Sequence, residues 1–288
     1  MNPQLLDDLI LRALAEDAPW GDITSEAFLP REAVAVASLV ARESGILSGI
    51  AVFARVFVLV DPATDVTLLA EDGATMTPGA TLATVAGSAR SVLRAERIAL
   101  NLTQRMCGIA TLTARYVEAV AGTNARIVDT RKTTPGLRAL ERQAVRDGGG
   151  HNHRFSLSDA VLAKDNHLAV LAAAGIPIGD AIRAARAKIG HTTHLEVEVD
   201  RLDQVQPVVA AGVDTIMLDN FTPAQLVEGV AIVAGRALVE ASGGVNLDTV
   251  AEIASCGVDV ISVGALTHSV RSLDLGLDIE IATLETRR

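Results

Sequence analysis

From residue 122 onward a single rhythm limits what this chain can fold into. Short apolar runs end in polar residues again and again: Ile127-Val128 leads into Asp129 and Arg131-Lys132, Val161-Leu162 into Lys164-Asp165, and Thr215 to Leu218 into Asp219-Asn220. The run Leu195 to Val199 carries Glu196 and Glu198, Ala237 to Val239 leads into Glu240 and Ser242-Gly243-Gly244, and Val258 to Val263 into Gly264. The markers Glu198, Asp219, Ser242 and Gly264 are spaced by about 21, 23 and 22 residues, the length of one strand plus one helix. The segments between them, Leu202 to Ala211, Pro223 to Ala234 and Leu247 to Cys256, read as helices. Ala211-Gly212-Val213-Asp214 and Cys256-Gly257-Val258-Asp259 repeat as the turn entering a strand. Strands alternating with helices imply a parallel sheet. Six such units, without the paired halves of a dinucleotide fold, favour an incomplete α/β barrel over a doubly wound sheet. In barrels the chemistry sits at the C-terminal strand ends, and there the polar residues fall.

The first 121 residues follow another pattern. Pro3 to Glu16 carries Leu5, Leu6, Leu9, Ile10 and Ala13 at helical spacing, and Trp20-Gly21-Asp22 ends that helix. Between Ala33 and Gly87, alternating apolar residues and the turns Asp72-Gly73 and Pro78-Gly79 predict short antiparallel strands. The run Ala51 to Val60 fits a helix as well as a buried strand. Ser88 to Ala121 then reads as one long helix, with Ser88 or Ser91 as its N-cap. Leu273 to Ile281 is expected to return to this N-terminal part.

Charge locates the site. The chain has a formal net charge of −10, yet Arg126 to Arg154 holds seven basic residues against three acids, Asp129, Glu141 and Asp147. A cleft lined by one sign focuses the field on a ligand of the other, so an anionic ligand is expected. The acidic total and the 2% of aromatic residues argue against nucleic acid. No basic segment followed by an apolar stretch opens the chain, no run of 18 apolar residues occurs, and Cys107 and Cys256 stand far apart. A soluble cytoplasmic protein with free thiols is the expectation. Ser242-Gly243-Gly244 and Gly264, followed by Thr267 and His268, suit a phosphate held on backbone N–H groups after the last strands. Glu198 and Asp219 suit ribose hydroxyls or Mg²⁺, or serve as charge partners for Lys132 or Lys164. His151 and His153 lack a third ligand at metal spacing, which argues against zinc. Arg131, Arg154 and Lys164 suit carboxylates.

The runs DTRKTTPGLRALERQAVRDGGGHNHR and AKDNH, followed by EVEVD, MLDN, EASGG and VGALTHS, closely resemble the quinolinate phosphoribosyltransferase family, and the likeness reaches from Trp20-Gly21-Asp22-Ile23-Thr24 to Ser269. It implies an N-terminal α/β sandwich domain (1–121, with 270–288 returning to it) and a seven-stranded, incomplete α/β barrel (122–269). It also implies a homodimer or larger assembly with a shared site. The implied reaction transfers phosphoribosyl from 5-phosphoribosyl 1-pyrophosphate to quinolinate with Mg²⁺, yielding nicotinate mononucleotide, CO₂ and pyrophosphate for NAD synthesis. By the same likeness Arg131, His153, Arg154 and Lys164 surround the quinolinate carboxylates, and Arg97 reaches in from a neighbouring subunit. Lys132 meets the pyrophosphate or ribosyl side, while Glu198 and Asp219 hold ribose and metal. Ser242, Gly243, Gly244, Gly264 and His268 take the 5-phosphate. Rival readings are a paralogue associated with molybdate transport, acting on another substrate, a nicotinate phosphoribosyltransferase, and a non-catalytic phosphate-binding barrel.

Overall fold

The computed structural model describes residues 2–281. Among the described residues, contacts divide the chain into two units, the first made of residues 2–114, 134–149 and 270–281 and the second of 115–133 and 150–269; the expected return of 282–288 lies outside the described residues.

In the first unit α1 (Pro3–Asp17) starts where the Asn2 side chain accepts the Gln4 N–H, and it buries only Ile10 and Leu14. Next come α2 (Ile23–Phe28), β1 (Val34–Ala41) and β2 (Gly45–Ile46). The ambiguous apolar run is a helix, α3 (Ile50–Val60), burying Ile50, Phe53, Val56 and Phe57. Burial at helical spacing decides it, and the Phe53 and Phe57 rings meet one turn apart in a tilted pair with centroids 4.9 Å apart. Then follow β3 (Asp65–Leu68), β4 (Thr75–Met76), β5 (Thr81–Ser88) and the long α4 (Ala89–Ala119), whose last residues group with the second unit. The C-terminal stretch returns as β12 (Leu275–Ile281), the edge of an antiparallel sheet ordered β12-β1-β5-β3. Hydrogen bonds tie it to α4 as well: Leu273 N–H donates to the Gln104 carbonyl and the Gln104 amide to the Leu275 carbonyl.

The structure differs from the sequence reading over residues 134–149, expected in the barrel. This stretch carries α5 (Arg138–Asp147) and belongs to the first unit. Glu141, 1% exposed, is paired with Arg105 of α4, and the Ser48 hydroxyl donates to Asp147. Glycine-rich flanks disguised a helix that leaves the strand-helix rhythm.

The second unit is a six-stranded parallel sheet ordered β6-β11-β10-β9-β8-β7, from β6 (Arg126–Val128), β7 (Val161–Ala163), β8 (Leu195–Val199), β9 (Thr215–Asp219), β10 (Leu238–Ser242) and β11 (Val260–Ser262). A single parallel bridge from Val128 to His151 marks a seventh strand position beside β6. Between His151 and β7 no ladder forms among the described residues, so the barrel is open there. The accompanying helices are α6 (Asp165–Ala173), α7 (Ile178–Arg186), α8 (Leu202–Ala210), α9 (Pro223–Val233), α10 (Val250–Ser255) and α11 (Ala265–His268). The repeated turn has a mechanical reason. Gly212 and Gly257 take φ of 85° and 89°, and the aspartate two residues on accepts a backbone N–H from the neighbouring strand. Asp214 takes that of Leu195 at 2.7 Å and Asp259 that of Val239 at 2.8 Å, so each turn fastens one strand to the next. No single helix among the described residues is long and apolar enough to cross a membrane.

Candidate active site

Alternation along the strands makes the barrel interior polar. In β8, Leu195, Val197 and Val199 leave the interior to Glu196 and Glu198, all five residues being buried. At the C-terminal strand ends a cavity of about 360 Å³ is lined by Arg131, Lys132, Arg154 and Lys164 together with Glu198 and Asp219. Thr130, His153, Glu240, Ser242 and Ser262 also line it. Four cations from three chain segments therefore meet three carboxylates in one space.

Their electrostatics are strained by design of the fold. Burial and the neighbouring Arg131 charge both lower the pKa of Arg154, while Glu196 and Asp159 oppose them. Lys164 Nζ pairs with Glu198 Oε2 at 2.5 Å, so the charge-partner reading of Glu198 holds for Lys164. Asp219 instead accepts the Asn220 amide at 2.6 Å. Lys132 is fixed from the other side, because the buried Thr267 hydroxyl donates to its carbonyl at 2.8 Å.

The glycine loops stand at the same end. A Cβ on Gly264 would lie 3.0 Å from His268 Nε2 and 3.2 Å from Lys132 Cδ, so His268 and the Lys132 stem converge on this position. Gly243 has φ of 87°, and a Cβ there would overlap Asn220 Oδ1 at 2.2 Å. Gly244, φ 63°, faces open space. Arg97 is exposed on α4 of the first unit and is not among the residues lining this cavity. Of the basic cluster, Arg138, Arg142 and Arg146 lie on α5 and do not line it either.

His153, expected against the substrate, lines the cavity and is also engaged by buried groups. Its Nε2 lies 3.0 Å from Glu196 Oε2 and 3.5 Å from Glu240 Oε2, and its Nδ1 accepts the Arg154 N–H at 2.7 Å. Its own N–H donates to Asp129, which is fully buried and also takes the Asn152 amide. Burial opposes an imidazolium here, but hydrogen bonds and charge from Glu196 and Glu240 outweigh it and push His153 up to about 10. Burial and the Glu240 charge raise Glu196 as well, against His153. Both shifts mean that the trio retains a proton, and the amide on Nδ1 places it on the Nε2–carboxylate side. Asp129, Glu196 and Glu240 were not singled out from sequence. The signal for Glu196 was its two-residue spacing from Glu198, which puts both on one strand face.

Magnesium prefers hard oxygen donors and substrate phosphates, and Glu198 and Asp219, on adjacent strands facing one cavity, fit that preference. Cys107 is no nucleophile: burial pushes its thiol up to about 12.

The quinolinate phosphoribosyl transferase N-terminal domain model matches residues 22–107 and the C-terminal domain model residues 109–278. A nicotinate-nucleotide pyrophosphorylase [carboxylating] from Mycobacterium leprae is 47% identical over 278 residues, covering 94% of this chain and 96% of that protein. A probable nicotinate-nucleotide pyrophosphorylase [carboxylating] from Bacillus subtilis is 39% identical, covering 98% and 96%. The crystal structure of NadC from Streptococcus pyogenes superimposes with a TM-score of 0.93 at 41% identity, over 98% of this chain and 99% of that one.

Proposed function

The chain belongs to the quinolinate phosphoribosyltransferase family, and we propose on that premise that it is a carboxylating nicotinate-nucleotide pyrophosphorylase of NAD biosynthesis. It joins quinolinate to 5-phosphoribosyl 1-pyrophosphate, releasing pyrophosphate and CO₂ and leaving nicotinate mononucleotide. The observation that carries this reading is the cavity in which Arg131, Lys132, Arg154 and Lys164 face Glu198 and Asp219.

Quinolinate is a dianion. Arg131 and Arg154, held close despite like charge, bind its carboxylates and orient the ring nitrogen, with Lys164 beside them. Glu198 and Asp219 hold the ribose hydroxyls and stabilise the positive charge that develops at C1 as pyrophosphate departs. Mg²⁺, when bound by these two residues, neutralises phosphate charge. Lys132 faces the departing pyrophosphate, and Ser242, Gly243, Gly244, Gly264 and His268 take the 5-phosphate. Once ribosylated, the cationic pyridine nitrogen stabilises the carbanion left at C2 when the carboxylate departs as CO₂, and a proton from solvent then completes the C2–H of the product, so the chain itself need not supply an electron sink.

We place Arg97 in the site of a second subunit of a homodimer or larger assembly, and the protein in the cytoplasm. Mixing Arg97→Ala and Lys132→Ala chains tests the shared site: verified heterodimers should regain activity, and no recovery would show each subunit to be self-contained. The reaction itself is tested by incubating the protein with quinolinate, 5-phosphoribosyl 1-pyrophosphate and Mg²⁺. Nicotinate mononucleotide with equimolar CO₂ is expected. No product, or product from another pyridine only, would refute the assignment.

A further inference from the structure

Two buried carboxylates meet the half-buried His153 beside the cations, and the reaction described above gives the two carboxylates no task. Glu196 and Glu240 come from β8 and β10, with β9 between them, and are 3% and 2% exposed. Both face the barrel interior, and each directs one oxygen at the same His153 Nε2. The other oxygen of each, Oε1, takes no hydrogen bond from the protein. With Nδ1 taken by the Arg154 amide, the ring has only the Nε2 position to offer, so it cannot satisfy two carboxylates fully. Burying a second carboxylate against a single imidazole is costly, and apolar side chains of similar volume would serve stability as well or better. Stability alone therefore does not account for the pair.

What the trio controls lies on the other side of the ring. With Nε2 held from below, His153 Nδ1 points at the Arg154 amide and accepts its hydrogen. Asp129 fixes the His153 amide, and the Arg154 guanidinium donates to the Ala160 carbonyl at 3.1 Å. The Arg154 backbone is thus set by an imidazole whose rotation the two carboxylates prevent. The Glu196 charge also lies within reach of Arg154, where it opposes the repulsion from Arg131. A pair of arginines aimed at one dianion needs both services, since their geometry must be fixed and their mutual repulsion offset before the ligand arrives.

Resting on the quinolinate assignment, we propose that Glu196 and Glu240 are positioning residues which act through the His153 ring to aim Arg154 and to hold Arg131 and Arg154 together in the unliganded site. Glu196 is not among the residues lining the cavity, and Glu240, which reaches its wall, acts through the His153 ring. The consequence is selective: they govern the pyridine dicarboxylate and leave the phosphoribosyl donor alone.

The test uses Glu196→Gln, Glu240→Gln and the double variant, which keep shape and hydrogen-bonding capacity but remove charge. Initial rates give KM for each substrate, calorimetry gives quinolinate affinity, and thermal unfolding gives Tm. The double variant should raise the quinolinate KM and Kd by about tenfold or more, keep the KM for 5-phosphoribosyl 1-pyrophosphate near the wild-type value, and unfold no earlier than wild type. An unchanged quinolinate KM would overturn the proposal. So would a parallel rise in both KM values with a fall in Tm, which marks a merely structural role. The trio's ligand atoms lie within 4.8 Å of one another. Tight Mn²⁺ or Zn²⁺ binding by wild type, lost in Glu240→Gln without change in quinolinate affinity, would overturn it too and make the trio a metal site. A wild-type protein that fails to bind quinolinate refutes the functional assignment itself, whatever the variants do.

Discussion

Lys164 and Glu198 neutralise each other across the ends of two adjacent strands, with Glu198 nearly buried and Lys164 half exposed. One is assigned to the carboxylates of the pyridine and the other to the ribose. In the free protein each occupies the other, so loading either substrate competes with this ion pair.

Glu198→Gln releases Lys164 without removing it. Quinolinate affinity, measured by calorimetry, should hold or improve, while kcat falls by about two orders of magnitude because a charge facing the developing C1 cation is gone. Loss of quinolinate affinity with kcat retained would assign Glu198 to the wrong substrate.

Arg105→Ala is expected to destabilise the first unit. It leaves Glu141, 1% exposed, without the guanidinium that lies 2.6 Å away. Removing one partner of a buried pair costs about 3–5 kcal/mol. Arg105→Ala with Glu141→Leu should recover much of this, since an apolar residue needs no counter-charge. Thermal or urea unfolding of the two variants reads the difference, and equal losses would show the pair to be unimportant.

The return of the C-terminal stretch should be acid-sensitive. Glu43 accepts hydrogen bonds from Arg271 and from the Asp274 N–H, and the Arg271 bond before all lowers its pKa to about 2. A depressed carboxylate contributes stability that is fully present above its ordinary value near 4.5 and disappears as pH falls through about 2. The Tm gap between wild type and Glu43→Gln should therefore be widest near neutral pH and close between these limits. Because the pair is exposed, high salt should narrow it. A gap independent of pH would mean that the contact is steric.

The barrel was legible because its constraint is periodic. From β8 to β11 each strand had to end in polar residues about 22 positions after the last, and the turns entering β9 and β11 had to place Gly212 and Gly257 before a fastening aspartate. The cations at the rim were legible through their sign against an acidic background. What sequence hid was vertical order inside the barrel. Glu196 and Glu198 look alike in EVEVD, yet a step of two residues along β8 separates a residue that pairs with Lys164 from one that pairs with His153. Glu240 could be joined to them only through sheet order, with β10 two strands away. The basic cluster likewise mixed two populations, since α5 carries Arg138, Arg142 and Arg146 into the first unit.

The most direct measurement is calorimetric titration of the protein, without the sugar phosphate, with quinolinate and then with the monocarboxylate nicotinate. Wild type is expected to bind quinolinate well and nicotinate weakly. Arg131→Ala and Arg154→Ala should each lose about 2 kcal/mol of quinolinate affinity, roughly thirtyfold, with Tm unchanged. Equal affinity for the two pyridines, or quinolinate binding untouched by either substitution, would contradict the claim that these cations are gathered to hold a dianion.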